Sequence, residues 1–468
     1  MTLLYQKIAG IIEQQINDGV FRNGEKLPSI RQLSQRFSMS IGTIQQAYVE
    51  LEDRRLITPR NRSGYYVDCP QNIISTATPT IESISPTPSK VDVLEMAIAV
   101  MTAARDESLV PLGSATPNVS GLAIRQLHQS IKSVASRTRN FNEDPQGYLP
   151  LRRLIAQRSP AMGKAFNEKE IVITAGCQEA LTFALKCISQ AGDLIAIESP
   201  CYYGILQILE VLGRKVVEIP VSPESGIDLG GLEDLLVKFP VKGLILSPSF
   251  SNPTGYPCSD ETKQGILELL KKYDLPLIED DIYSELGKNE TRVRSIQSFD
   301  REGRVILCSS ISKTLCQDLR IGWMVPGRYL KEARLLKFAT TLYSPSIMQM
   351  ALADFLSTQR LERHLRLVTV DYAKRQGILL RLLRQHFPQE TKASRPKGGF
   401  ISWIELPLPL DGTRLYHQAL AEGISITPGE IFSPTRQFKN FIRLNYAIAD
   451  EEVMEFAIKK LAALLLEQ

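Results

Sequence analysis

Five short polar clusters carry residue types able to do chemistry, and each follows an apolar run. Leu307 is followed by Cys308-Ser309-Ser310-Ile311-Ser312-Lys313, and Arg320 stands seven residues beyond the lysine. An amine held among cationic groups or away from water loses proton affinity and becomes nucleophilic. Ile278 is followed by Glu279-Asp280-Asp281-Ile282-Tyr283, which brings carboxylates and a phenol together. Leu246 leads into a segment containing Asn252-Pro253-Thr254-Gly255, and Ile197 into Glu198-Ser199-Pro200-Cys201-Tyr202-Tyr203. Ile173 leads into Thr174-Ala175-Gly176-Cys177-Gln178-Glu179, which opens a helix. Small residues and free backbone N–H groups at a helix N-terminus suit an anion such as phosphate. Taken singly, each cluster has an ordinary reading. A lone lysine is usually solvated, Asn-Pro-Thr-Gly is usually a turn, and Glu-Asp-Asp is usually a surface charge run.

The apolar runs are the elements that must position these clusters. Ile171–Ile173, Leu194–Ile197, Lys215–Val217, Gly243–Leu246, Leu275–Ile278 and Val305–Leu307 are strand candidates, and from Val91 onward such runs alternate with amphipathic helices. Continuous apolarity predicts strands covered on both faces, hence a largely parallel α/β sheet. Ligands bind beyond the carboxyl ends of the strands in such sheets, which is where the polar clusters fall.

Residues 1–68 read differently. Leu4, Ile8, Ile11, Ile12 and Ile16 share a helical face, and Gly19 ends that helix. Ser29 with Gln32 makes a capping box for a short helix through Phe37. Ser40 caps a third helix, in which Ile44, Ala47, Tyr48 and Leu51 share a face. Leu56–Thr58 and Tyr65–Val67 are β-type, joined by a turn-rich tip, Pro59 to Gly64, that carries Arg60 and Arg62. Residues 69–90 hold Pro70, Pro79, Pro86 and Pro88 among Ser, Thr, Ile and Asn, and read as a linker. Fully polyproline-like, it would span about 68 Å. The domains are therefore placed at 1–68 and 91–468.

Composition narrows the classes. A chain of 468 residues exceeds one ordinary core, so a small domain plus a large one is the natural division. A net charge of +4 neither demands nor excludes nucleic acid, and residues 1–68 hold nine Lys/Arg against seven Asp/Glu. The seven cysteines form no CxxC pair and there are four histidines, so no metal site is expected. Lys7 and Glu13 interrupt the N-terminal apolar pattern, which is not that of a signal peptide, and no apolar run reaches the roughly 18 residues of a membrane span. A cytoplasmic protein with reduced thiols is expected.

Jointly, in order and spacing, the five clusters resemble the fold-type I aminotransferases of class I/II, from about residue 110 to the end. The resemblance implies a large, mostly parallel sheet domain with a small C-terminal domain, and pyridoxal 5′-phosphate as cofactor. It implies that Lys313 is the Schiff-base lysine, that Asp280 faces the pyridine nitrogen, and that Tyr283 and Asn252 reach the ring's 3′-oxygen. Tyr202 matches the aromatic stacked on the ring, and Gly176, Cys177, Gln178, Ser310, Ser312 and Arg320 match the phosphate cup. Lys313, Asp280 and Tyr283 form the catalytic set. In Phe441-Ile442-Arg443-Leu444-Asn445-Tyr446-Ala447, Arg443 matches the clamp on a substrate α-carboxylate. One departure is that Phe141 and Asn142 stand where many relatives place a tyrosine that reaches the neighbouring subunit's phosphate.

Residues 3–68 resemble a GntR-type winged helix-turn-helix, whose third helix lies in the major groove while the wing tip touches an adjacent groove or backbone. Arg31, Ser40, Thr43, Gln45, Arg60 and Arg62 are its candidate DNA contacts, with Ile41 where relatives often carry an arginine. The combination resembles the MocR subfamily of GntR regulators. It implies a homodimer that binds operator DNA and responds to an amino acid or amine. The alternative is a working aminotransferase, moving an amino group between an amino acid and a 2-oxo acid.

Overall fold

A computed structural model describes residues 4–17, 21, 24–37, 39–53, 56–60, 63–68, 79, 86–137, 144–162, 166–222, 226–288, 293–447 and 450–468. Arg62, Gly19, Phe141, Asn142 and most of the expected linker lie outside the described residues. The chain forms two compact units, Met1–Ile74 and Ser75–Gln468.

The first unit packs α1 (Leu4–Asn17), α2 (Ile30–Phe37) and α3 (Ile41–Asp53) beside a hairpin of β1 (Ile57–Arg60) and β2 (Gly64–Val67). Ile8, Ile12 and Ile16 of α1 are buried with Ile44, Ala47, Tyr48 and Leu51 of α3. Leu4 and Ile11 are exposed instead. Ile11 sits one helical step, about 100°, from the buried Ile12, so the apolar stripe is narrower than the sequence suggests. The capping box forms in both directions: Gln32 N donates to Ser29 Oγ and Ser29 N to Gln32 Oε1. Ser40 caps α3 by accepting from Thr43 N at 3.1 Å, and the two hydroxyls bond each other at 2.8 Å. Pro59 and Arg60 belong to the ladder, opposite Tyr65 and Gly64, so the hairpin tip is shorter than expected.

The second unit is built on one sheet. Its strands are β3 (Ser89–Lys90), β5 (Val172–Thr174), β6 (Leu194–Ser199), β7 (Lys215–Ser222), β8 (Gly226–Ile227), β9 (Val241–Leu246), β10 (Leu277–Asp280), β11 (Val305–Ser310) and β12 (Gly322–Val325); β4 (Val110–Pro111) lies off it. The spatial order is β3-β7-β6-β9-β10-β11-β12-β5, with β8 paired to β7. The pairs β7·β6, β6·β9, β9·β10 and β10·β11 are parallel, whereas β12 runs antiparallel to both neighbours. All six expected strands are in this sheet. Several run further toward the polar clusters, and β10 begins only after Pro276, which has no N–H for a ladder. Ser89 and Lys90, expected at the end of the linker, pair with Val216 and Lys215. β12 was not anticipated from sequence. Its first residue, Gly322, is there for space, since a Cβ would overlap the backbone of Gly176.

A second, antiparallel sheet holds β13 (Lys392–Ala393), β14 (Ile401–Glu405), β16 (Thr427–Pro428) and β17 (Phe441–Asn445), while β15 (Ile424–Ser425) pairs in parallel with β4. Side chains alternate along a strand, so Arg443 and Asn445 share one face of β17.

The cap of α3 gives a direct test. Ser40→Ala should lower the stability of the first unit by about 1 kcal/mol, and Ser40→Thr should retain most of it. The urea dependence of hydrogen exchange at the α3 amides reads this. Unchanged protection in Ser40→Ala would remove the cap from the account.

Candidate cofactor and ligand site

The polar clusters converge at the carboxyl ends of β5, β6, β9, β10 and β11. Glu279, Asp280 and Asp281 are all buried, so this is no surface charge run. Alternation separates them: Glu279 accepts from Ile296 N and Gln297 N, while Asp280 is aimed at the helix that follows β5. That helix, Cys177–Ile188, is N-capped by Gly176 at φ 90. Cys177 Sγ lies 3.5 Å from Asp280 Oδ1, and Gln178 Nε2 donates to Gly204 O at 2.9 Å. The side chains of Cys177 and Gln178 are thus engaged sideways, and only their backbone N–H groups remain for an anion at the helix end.

Arg320 closes the same corner. Its Nη2 donates to Ala175 O at 3.0 Å, and a Cβ on Gly176 would stand 2.7 Å from that nitrogen. Glycine is therefore required at 176 on grounds of both φ and space. Arg320 itself has φ 50, a left-handed conformation rarely adopted by residues with a Cβ and often found at functional positions. Ser310 ends β11 and is buried with Ser312, whose N–H points to Ser310 Oγ at 3.4 Å.

Lys313 follows, with its Nζ donating to Ala115 O at 2.6 Å. Burial, with Arg443 close by, holds its amine down at about 8. Burial also pushes the Asp280 carboxyl up to about 7, with Asp281 adding to the rise and Cys177 and Lys313 opposing it. The Tyr283 hydroxyl is buried without a hydrogen bond of full geometry, although it lies close enough to Asn252 to feel its side chain. Asn252 is held in turn through its neighbour, since Ser251 Oγ donates to the buried Glu198 carboxylate at 3.1 Å. Tyr202 caps the helix Tyr203–Val211 and folds its ring over Gly204, where a Cβ would overlap it.

Arg443 is completely buried. It donates to Asn252 Oδ1 at 3.2 Å, to Thr427 Oγ1 at 2.9 Å and to Gly113 O, while its Nε has no partner. The rings of Tyr203 and Phe432 lie 5.9 and 5.5 Å from its guanidinium carbon. Among the described residues no carboxylate pairs with it. A buried cation met only by neutral acceptors is a site prepared for an anion.

Sequence reasoning missed Gly113, Ala115, Thr427 and Asn445. The loop residues contribute carbonyls, which no residue type announces. Asn445 was detectable, standing two residues after Arg443 on an apolar strand. In the first unit Arg31, Gln45 and Arg60 are exposed as DNA contacts require, whereas Ser40 and Thr43 use their hydroxyls on each other. Arg60 also stacks on Tyr66, 4.3 Å from its ring centre. Among the described residues no helix is long and apolar enough to cross a membrane, and no group of side chains is placed to hold a metal ion.

The fit to pyridoxal phosphate is good on these observations: a buried amine, a facing carboxylate, an under-bonded buried phenol, and a glycine cradle at a helix N-terminus beside an arginine.

Comparison with known proteins agrees. Residues 109–461 match the class I and II aminotransferases, and residues 4–67 match the gntR family of bacterial regulatory proteins. The uncharacterized HTH-type transcriptional regulator YjiR of Escherichia coli (strain K12) is 37% identical over 460 residues, which cover 98% of this chain and 97% of that protein. YdcR, another HTH-type regulator of that organism, is 36% identical and covers 99% of each chain. Among solved structures, kynurenine aminotransferase of Pyrococcus horikoshii, described in complex with PMP, superposes with a TM-score of 0.73 at 28% identity, over 80% of this chain and 94% of that one. The chain belongs to the class I and II aminotransferase family and, with its GntR-type head, has the architecture of the MocR subfamily of transcriptional regulators.

Proposed function

We propose that this protein is a pyridoxal-phosphate-binding transcriptional regulator, in which residues 1–68 bind operator DNA and residues 91–468 sense an amino acid or amine. One observation carries the reading. Relatives that match end to end are HTH-type regulators, whereas the superposed aminotransferase covers only 80% of the chain. The protein is proposed to act as a cytoplasmic homodimer, which would read two half-sites at fixed spacing. Exposure of Arg320 in the single chain is in keeping with a second subunit near the cup.

Lys313 would hold the cofactor covalently, Asp280 would keep its ring nitrogen protonated, and Tyr283 with Asn252 would meet its ring oxygen. Tyr202 would cover the ring. Gly176, Ser310, Ser312 and Arg320 would hold the phosphate, with Cys177 and Gln178 offering backbone N–H groups. When bound, the cofactor supplies an electrophilic carbon and an electron sink for an amino compound. Arg443 would take the ligand's carboxylate through its bidentate fork, flanked by Tyr203 and Phe432. The lowered proton affinity of Lys313 lets it act as a nucleophile near neutral pH. The same residues support the second reading, a working aminotransferase, because Asn252, Asp280, Tyr283, Lys313, Arg320 and Arg443 are all present.

Two outcomes are expected. Cofactor capture by the apoprotein requires the neutral amine, so its rate should rise with pH and level off above about 8. Stopped-flow absorbance follows this; a midpoint near the ordinary lysine value of about 10.4 would show that Lys313 is not the group reacting. The second pairs DNA affinity, on duplexes selected from a randomised library, with turnover of amino acids and oxo acids by one preparation. A ligand should shift DNA affinity by about 5–150-fold, a coupling of about 1–3 kcal/mol, and Arg443→Ala should remove the shift for amino acids. Fast turnover with no effect of ligand on DNA would leave the aminotransferase as the function.

A further inference from the structure

Five successive carbonyls, from Leu112 to Thr116, each accept a hydrogen bond from a distant part of the second unit. Asn445 N donates to Leu112 O at 2.7 Å. Thr427 Oγ1 donates to Gly113 O at 2.7 Å, and Arg443 Nη2 shares that oxygen. Asn445 Nδ2 donates to Ser114 O at 2.9 Å and to Thr116 O at 2.8 Å. Lys313 Nζ takes Ala115 O. The segment has no helix or strand of its own, so these donors, one backbone amide and four side chains, are what seat it. It lies flat against its neighbour, because a Cβ on Gly113 would come within 2.6 Å of the Ile426 backbone.

Two of those donors, Lys313 and Arg443, are the groups that bind the ligand in the reading above. We propose that residues 112–116 form a strap whose seating reports occupancy of the site along the chain toward the DNA-binding head. The inference rests on that reading for the identity of the ligand. An aldehyde that condenses with the Lys313 amine, with loss of one water, takes Nζ away from Ala115 O. A carboxylate in the fork of Arg443 draws it from Gly113 O. The two losses are unequal. Gly113 O keeps Thr427, whereas Ala115 O loses the one side-chain donor it has among the described residues. A carbonyl left without its donor must find another or move. Cofactor capture is therefore the larger signal, and an amine that takes the captured carbon from Lys313 frees Nζ again and reverses it, leaving only the effect of its carboxylate at Gly113 O.

Upstream, the strap joins a short parallel pairing and then chain packed on the core, where Val91 and Val93 are buried and Glu210 accepts from Val93 N and Leu94 N. Val110 and Pro111 pair with Ile424 and Ser425 over two residues, and Val110 N donates to Gly423 O at 2.8 Å. Before them come the helix Leu94–Ala103 and the two-residue β3, and then the linker. Downstream, Tyr372 OH anchors Asn118 O at 2.9 Å.

Hydrogen exchange on the full chain tests this, using peptides that cover residues 110–119 and 86–94. Loading with pyridoxal phosphate, verified by absorbance, should speed exchange over 110–119 by about tenfold, the size of one or two lost hydrogen bonds. Lys313→Ala should exchange fast without cofactor and gain nothing from it. Thr427→Val, which removes one donor from Gly113 O and one acceptor from Arg443 Nη2, should fall between. Loaded and cofactor-free wild type agreeing within about twofold over 110–119 would overturn the strap, since that is less than one net hydrogen bond. A response at 110–119 without one at 86–94 would overturn its role in reporting. If DNA affinity responds to ligand while the strap is silent, the strap alone falls. If both peptides respond while DNA affinity does not, the strap stands and the regulator reading fails.

Discussion

A guanidinium taken wholly out of water sets the terms for the second unit. Removing a charge from solvent is costly unless hydrogen-bond acceptors replace the water it loses. Arg443 finds only neutral ones, from Asn252, Thr427 and Gly113, and they come from three separate stretches of chain. The loop after β9, the short β16 and the strap before Thr116 are all held where those acceptors are needed. The same guanidinium helps to lower the proton affinity of Lys313, so Arg443 and that amine are electrostatically coupled.

The asymmetry of the buried carboxylates follows from the pleat. Glu279 and Asp280 are neighbours in sequence yet face opposite sides of the sheet. Glu279 fastens the turn at Ile296, and Asp280 faces the thiol of Cys177 and the field of Lys313. Moving the strand register by one residue would exchange these two tasks. The parallel ladder on both sides of β10 fixes that register.

Much of this was legible in the sequence, for identifiable reasons. The six core strands announce themselves because both faces are covered, which forces near-continuous apolar runs. Gly176, Asp280, Lys313 and Arg320 stood out because their side chains, or lack of one, are visible in sequence, and the structure brings Gly176 against Arg320 and Asp280 against Cys177. The capping box at Ser29 and the cap at Ser40 were found because local hydrogen bonding dictates residue type. The strap was not legible, since it acts through carbonyls that every residue possesses and its partners lie about 200 to 330 positions away along the chain. β12 escaped because its four residues open on a glycine, and Ile11 was misplaced because the buried face of α1 is narrower than its apolar residues suggest. Ser40 and Thr43 satisfy each other, so what α3 presents to solvent at that end is Ile41, Gln45 and Gln46.

The apposition of Gly322 and Gly176 has an evolutionary consequence. Gly322 has no room for a Cβ because the backbone of Gly176 fills that space, and Gly176 has none because its φ is 90 and the Arg320 guanidinium stands there. Descendants of such a chain can vary the residues around Arg443 and the strap while inheriting this corner of the sheet unaltered. A lineage can thus rework one end of the site without having to rebuild the other.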